Sequence, residues 1–299
     1  MTAQDDNKRA SGRSLWWWGG GAFAVVCLLE LSARLMLPSL QWLDVLQPSD
    51  AGYAARANAE GVYDGVVPGA QLGVTFRTDE RGRRSSSPLA AARYLTLGSS
   101  TTFGLGVADD QTWPAHLARL SGAEVTNGGL PGLDVSMALA VIRRQCSALR
   151  GKRVLLAIQR DDLAHTPAAL WLNIPRGVGR WSRLVQWARL SLVPKGRDLI
   201  ADPASQIDPD KALAALAELG RSCGFQGVVI QVDPLAPPRE QAELMARGRA
   251  MGLIWLDLSA EMEQLRRPGA ATALSGDYSL SSIGHEALAK LVWDRIRGS

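Results

Sequence analysis

Short apolar segments alternate with amphipathic segments along this 299-residue chain from residue 93 onward. Runs of branched and aromatic residues predict strands, and stretches with helical periodicity predict the helices that connect them. The predicted strands are 93–97, 123–126, 153–158, 227–232 and 253–258, and the predicted helices are 112–120, 135–149, 209–219, 241–251 and 283–296. Strands that alternate with helices pair in parallel, because each helix returns the chain to the same edge of the sheet. The sequence therefore predicts an α/β fold, a three-layer sandwich with helices on both faces of a parallel sheet.

The first predicted strand is followed by a glycine and four small hydroxyl residues, Gly98-Ser99-Ser100-Thr101-Thr102. At the corner between a strand and a helix, a serine exposes its Oγ at the carboxyl edge of the sheet. The free N–H groups of the following helix then point toward the oxygen atom of whatever the serine attacks. Ser100 is thus a candidate nucleophile. The corner lacks the Gly-Lys-Ser/Thr ending of a phosphate-binding loop and any Gly-x-Gly-x-x-Gly, which disfavours nucleotide binding.

Charge and cysteine content exclude several other classes of protein. The formal net charge is +4, and the basic residues are spread along the chain without a basic tract, so no nucleic-acid partner is expected. Cys27, Cys146 and Cys223 lie far apart and form no zinc motif, so we expect neither a metal nor a cofactor. A disulfide between Cys146 and Cys223 remains open at this stage.

The N-terminal region predicts a membrane anchor. A polar tail at 1–14 is followed by an apolar segment at 15–37 that opens with three tryptophans at 16–18. The segment has about the 20 residues that a bilayer requires, provided that Glu30 and Arg34 pair at the far boundary. Tryptophans are enriched at membrane interfaces, so those at 16–18 indicate the near one.

Orientation follows from the charges on either side of the segment. Lys8, Arg9 and Arg13 precede it, whereas Asp44 and Asp50 follow it. The positive-inside rule then predicts a cytoplasmic tail, a single-pass anchor in the inner membrane and a periplasmic main domain. A cleaved signal peptide is the competing interpretation, because small residues follow the apolar run.

The remainder divides into a Pro/Gly/Ala-rich spacer and packed flap at 38–88 and the α/β domain at 89–299. A tryptophan-rich amphipathic insert at about 176–198 interrupts the alternation. We interpret it as a lid or packing helix, with a partner-binding or membrane-surface helix as the alternative.

From about Gly61 to the C-terminus, the chain resembles the membrane-anchored bacterial SGNH hydrolases, also called GDSL esterases. Gly98-Ser99-Ser100 matches the nucleophile block, with Ser99 where the usual aspartate stands. The segment 127–132, Asn-Gly-Gly-Leu-Pro-Gly, is similar to the second block, whose last glycine donates its N–H to the oxyanion. The resemblance implies a flavodoxin-like strand order, Ser100 as nucleophile and Gly132 as oxyanion donor.

Two blocks depart from the family pattern. Asp161 stands where an asparagine normally donates to the oxyanion, and an ionised carboxylate only accepts hydrogen bonds. Asp277 matches the acid of the last block, but Ser279 or Leu280 occupies the position of the catalytic histidine. His285 is the nearest imidazole. It is the candidate replacement base, with a packing or capping role as the alternative.

Three functions from different classes therefore remain open. The first is a serine ester hydrolase or acyltransferase, with impaired activity, acting on an acyl or acetyl ester of a small molecule or glycan. The second is an inactive relative that binds such a ligand without turnover. The third is a structural subunit of a membrane complex, with a protein partner.

Overall fold

The structure is a computed structural model that describes residues 4–37, 39–50, 52–65, 73–84, 87–165, 181–192, 206–233, 235, 237–274 and 279–298. The strands are β1 (Leu46–Ser49), β2 (Gly52–Ala55), β3 (Glu60–Tyr63), β4 (Val74–Arg77), β5 (Tyr94–Leu97), β6 (Val125–Asn127), β7 (Arg153–Ile158), β8 (Gln226–Gln231) and β9 (Ile254–Asp257). The helices are α1 (Gln4–Met36), α2 (Ser100–Phe103), α3 (Trp113–Ser121), α4 (Val135–Arg144), α5 (Arg183–Leu192), α6 (Pro209–Cys223), α7 (Pro238–Ala250), α8 (Ser259–Leu265) and α9 (Ser282–Ile296).

The main sheet has the order β6-β5-β7-β8-β9, and all its neighbouring strands are parallel. Numbered along the chain, this is the order 2-1-3-4-5 of the flavodoxin-like sheets. The predicted α/β architecture and strand order are therefore confirmed. In such sheets the crevice for a ligand lies outside the carboxyl ends of the strands, where the order reverses. Here the reversal falls between β5 and β7, next to Ser100.

Helices cover both faces of this sheet, and the central strands are apolar on both sides. Successive side chains of a strand point to opposite faces. Leu95 and Leu156 belong to the core cluster that also contains residues of α4 and α6, and Tyr94 and Leu155 to the cluster that contains residues of α3 and α9.

One predicted helix ends earlier than its periodicity indicates. The helix predicted at 135–149 stops at Arg144, and a 3₁₀ turn at Cys146–Ala148 follows it. Cys146 in this turn forms a disulfide with Cys223 at the end of α6. The pairing that the sequence left open is present, and it joins two helices that flank the sheet.

The segment between the N-terminal helix and the main sheet forms two antiparallel hairpins, β1–β2 and β3–β4. Arg84, which is buried with 1% of its surface exposed, connects this region to the turn after α2. Its guanidinium pairs with Asp109 at 2.8 Å and donates to the carbonyls of Phe103, Gly104 and Val107. Burial lowers the pKa of Arg84, and the hydrogen bond from Arg84 to Asp109 acts in the opposite direction. The flap is thus part of the packed domain beside Ser100.

The N-terminal helix α1 is 33 residues long and carries the predicted pair, with Arg34 Nε 2.9 Å from Glu30 Oε1. In the part of the chain that the structure describes, no helix combines the length and the apolar character needed to cross a membrane. The anchor at 15–37 is therefore not confirmed and stays a prediction. Of the insert at 176–198, only 181–192 lies within the described residues, and it contains α5.

Candidate active site

Ser100 lies where β5 turns into the short helix α2, at the carboxyl edge of the sheet. Gly98 makes this corner possible, because its φ is +151° and an added Cβ would lie 2.8 Å from the Ala157 carbonyl oxygen. The same Cβ would come within 2.4 Å of Thr102 Oγ1. A residue with a side chain at Gly98 would displace α2 from β7, so the glycine fixes the position of Ser100.

The Ser100 side chain is partly buried, and its Oγ has no hydrogen bond to any residue within the described ranges. The hydroxyl is thus open to a ligand, but no described base contacts it. The predicted role of Ser100 as nucleophile is compatible with this geometry and stays a prediction.

The second block packs directly against this corner. Leu130 N donates to the Gly98 carbonyl over 3.0 Å, and a Cβ on Gly129 would lie 2.4 Å from Phe103 N. Gly132 follows in the left-handed region, with φ of +70°. The loop that carries Gly132 is therefore held against α2, as a donor to an oxyanion at Ser100 would require. The donor role itself stays a prediction.

A buried polar cluster lies under the corner. Gln159 Nε2 donates to Ser99 Oγ over 3.0 Å, and Gln159 N donates to Asp162 Oδ2 over 3.0 Å. Burial raises the pKa of Asp162 well above its ordinary value, and the charge of Asp161 raises it further. Hydrogen bonds from Gln159 N and Ser99 act against this rise. The cluster thus connects the residue before the nucleophile to the turn after β7.

Asp161, on the same turn, is exposed. Its charge also raises the pKa of Asp233, although burial is the larger cause of that shift. Asp161, Ser100 and Asp233 follow three neighbouring strands, so they meet at one edge of the sheet. A carboxylate at this place would repel an oxyanion.

Arg266 is a neighbour of the site that the sequence did not predict. Its Nη1 pairs with Asp233 Oδ1 at 2.8 Å, and its Nη2 donates to Thr101 Oγ1 over 3.2 Å. Both Arg266 and Asp233 line a cavity of about 660 Å³. Asp233 could have been identified from the sequence, because it follows a predicted strand and therefore lies at the carboxyl edge of the sheet. Arg266 could not, because it follows α8, a helix that the periodicity did not predict.

His285 lies in the core, with 1 % exposure. Its Nδ1 accepts a hydrogen bond from Trp113 N over 3.1 Å, which caps the first N–H of α3. Burial, followed by the charges of Arg84 and His116, lowers the pKa of His285 to about 3. These contacts favour the packing and capping interpretation. The role of His285 as the base for Ser100 stays a prediction, and these contacts do not support it.

Asp277 lies outside the described residues. The two positions that compete for the missing histidine are visible: Ser279, whose carbonyl accepts from Leu274 N over 2.9 Å, and Leu280, which is buried. No group of three or more His, Cys, Asp or Glu side chains that could hold a metal ion occurs within the described ranges.

No protein-family model and no curated protein matches the chain. Solved structures do match. One is a protein assigned to the G-D-S-L lipolytic family of Desulfitobacterium hafniense DCB-2, with 14% identity over 67% of this chain and 96% of that one, and a TM-score of 0.40. Another is Axe2, an acetylxylan esterase of Geobacillus stearothermophilus, with 16% identity over 69% and 94% and a TM-score of 0.40.

A third is LAE5, an alpha/beta hydrolase enzyme from the metagenome of Lake Arreo, with 15% identity over 68% and 94% and a TM-score of 0.43. Identities of 14% to 16% and TM-scores of 0.40 to 0.43 do not assign an activity to this chain. The strand order is that of flavodoxin-like α/β sheets, and the SGNH-hydrolase-like assignment stays what the sequence resemblance implies.

Proposed function

We propose that this chain is an SGNH/GDSL-type, serine ester hydrolase-like protein, in which Ser100 attacks an acyl or acetyl ester of a small molecule or glycan. The observation that carries the proposal is the geometry of Ser100. Its Oγ lies at the carboxyl edge of the sheet, at the switch in strand order, and is without a hydrogen bond in the described part of the chain. Such a crevice is where open α/β sheets bind ligands.

In the proposed reaction, Ser100 Oγ bonds to the ester carbonyl carbon and its proton passes to a base. The oxyanion is received by the backbone N–H groups of Ser100 and Gly132. Collapse expels the alcohol, which takes up a proton, and water then cleaves the acyl-serine to the free acid. The described residues supply Ser100 and the Gly132 loop, whereas Asp161 replaces a donor with an acceptor.

This replacement leads us to propose impaired activity on simple esters. Loss of one oxyanion donor lowers kcat by about 10²- to 10³-fold. A negative charge at the same place opposes the oxyanion further, and His285 has its Nδ1 engaged by Trp113 N.

We also propose that residues 15–37 anchor the protein in the inner membrane, with the main domain in the periplasm. Large apolar side chains of α1 are exposed, among them Phe23, Leu28 and Leu35 at 71%, 63% and 71%. The Cys146–Cys223 disulfide favours an oxidising compartment for the domain.

The test is labelling by a serine-directed fluorophosphonate, together with hydrolysis of p-nitrophenyl acetate, in the full chain. Ser100→Ala should abolish both signals, whereas Ser121→Ala, a serine of α3, should retain them. Labelling that persists undiminished in Ser100→Ala would contradict the nucleophile.

A second candidate is a protein that binds an acylated ligand without turnover, and the Asp161 carboxylate favours it. In that case calorimetry should detect binding of an acetylated oligosaccharide that is not deacetylated, and Ser100→Ala should bind it equally well. Deacetylation of the same ligand would contradict this candidate.

A further inference from the structure

The N-terminal helix caps the insert helix through one carboxylate. Glu30 of α1 accepts hydrogen bonds from Ser182 Oγ and Arg183 N, each at 2.8 Å, and from Leu184 N at 3.3 Å. A carboxylate at a helix N-terminus satisfies free N–H groups and complements the helix dipole. This arrangement gives Glu30, an acid among apolar residues of α1, a structural partner in α5.

Other contacts fix α5 across the end of α1. The Arg34 guanidinium donates to the Trp181 carbonyl, and Arg183 Nη1 donates to the Leu37 carbonyl over 2.8 Å. Gln186 is buried and accepts from Leu40 N over 3.2 Å. The insert helix and the last turns of α1 therefore form one unit.

The outward face of this unit is apolar. Trp181, which precedes α5, is 67% exposed, and Val185 and Ala188 of α5 are exposed as well, Val185 at 39%. Val185 and Ala188 are three positions apart and lie on one side of α5. The exposed apolar side chains of α1 lie on the adjoining helix: Phe23, Val25, Val26, Leu28, Leu29, Leu31, Leu35 and Met36.

Charge and spacing point to a lipid bilayer as the covering partner. Arg34 and Arg183 lie beside Trp181, and basic residues with an aromatic belt are typical of the boundary between lipid and water. Residues 17 and 34 of α1 are about 25 Å apart along the helix axis, at 1.5 Å per residue. That distance is close to the roughly 30 Å of a hydrocarbon core, with a tryptophan belt predicted at one end and Trp181 at the other.

We propose that α5 is a membrane-interface helix, and that its Val185 and the preceding Trp181 contact the lipid headgroup and upper acyl region on the side of the main domain. Glu30 and Arg34 hold it at that level. This inference rests on the proposed anchoring by residues 15–37, and it adds a second contact that would fix the orientation of the domain on the bilayer.

The test uses the full chain in phosphatidylcholine/phosphatidylglycerol nanodiscs without reductant. A bimane label is placed on the introduced cysteine of a Cys27→Ser/Trp181→Cys variant, and lipid nitroxides quench it from the headgroup region or from deep in the acyl chains. Cys27→Ser/Leu120→Cys is the matched control, because Leu120 is an exposed apolar residue of α3. A third sample carries the label on the native Cys27, which is exposed and free.

Quenching at position 181 by the shallow nitroxide, at least twofold stronger than at position 120, is the expected result. Equal quenching at 181 and 120 overturns the inference. If the deep nitroxide quenches the label at Cys27 in that case, the anchoring by residues 15–37 is retained and only the interface role of α5 is wrong. Absence of quenching at both 27 and 181 means that the anchoring has failed as well. If nearest-neighbour crosslinking at Cys27 then joins two chains, a second copy covers the apolar face and the inference is wrong.

Discussion

Gln159 Nε2 lies 3.0 Å from Ser99 Oγ and donates a hydrogen bond to it. Ser99 stands where the family resemblance places an aspartate, and the backbone N–H of the same Gln159 holds the buried Asp162. A single carboxyl group therefore shares this pocket with a hydroxyl and an amide. The serine in place of the usual aspartate fits a pocket that already contains an acid.

Ser99→Asp should consequently destabilise the fold. The new carboxylate would face Asp162 within the core, and a buried unpaired charge costs about 3 kcal/mol or more. Urea unfolding measures the effect, with Ser99→Ala as the control, since loss of one hydrogen bond costs about 1 kcal/mol. Equal stability of the two variants would show that the pocket accommodates two acids.

Asp162→Asn should remove a loss of stability that the parent undergoes as the pH rises above 4. The folded pKa of Asp162 is raised, so above the unfolded value near 3.8 the unfolded chain releases a proton that the folded chain retains. Stability contributed by this group is present at low pH and is lost as pH rises toward the folded pKa. The asparagine does not titrate, so this loss should disappear, and the unfolding free energy at pH 8 minus that at pH 5 should become more positive than in the parent. If the difference in unfolding free energy between the two pH values is the same as in the parent, a group other than Asp162 titrates in this range.

His285→Gln should reduce the loss of stability in acid. The folded pKa of His285 is about 3 and the ordinary value is 6.5, so the unfolded chain binds more protons between these values. Stability is then present above pH 6.5 and falls by about 1.4 kcal/mol per pH unit as pH decreases toward 3. Thermal unfolding at pH 7 and pH 5 measures this slope, and His165→Gln, at an exposed position, is the control. A slope that stays as steep as in the parent would mean that His285 is protonated in the fold.

The fold was accessible from the sequence because its signals are local. The strands at 153–158 and 226–231 contain the continuous apolar runs 154–158 and 227–230, and their order was implied by the family resemblance. The corner at Ser100 could be located because the glycine before it and the hydroxyl residues after it are consecutive. The chemistry of the site was less accessible, since it depends on contacts between distant segments. Arg266 reaches Thr101 across 165 positions, and Trp113 N engages His285 across 172.

Asp161→Asn should raise esterase activity if Ser100 is the nucleophile. The substitution removes a charge that opposes the oxyanion and supplies an amide N–H at the place where the family has one. Because one such donor contributes about 10²- to 10³-fold to kcat, we expect an increase of about 10²-fold in p-nitrophenyl acetate hydrolysis. Asp110→Asn, an exposed acid beside α3, is the control and should change nothing. The gain should disappear in Ser100→Ala/Asp161→Asn, because the new donor acts only on an oxyanion formed at Ser100. A rate equal to that of the parent would mean that residue 161 does not face the oxyanion, and the repulsion by Asp161 would no longer explain a slow reaction.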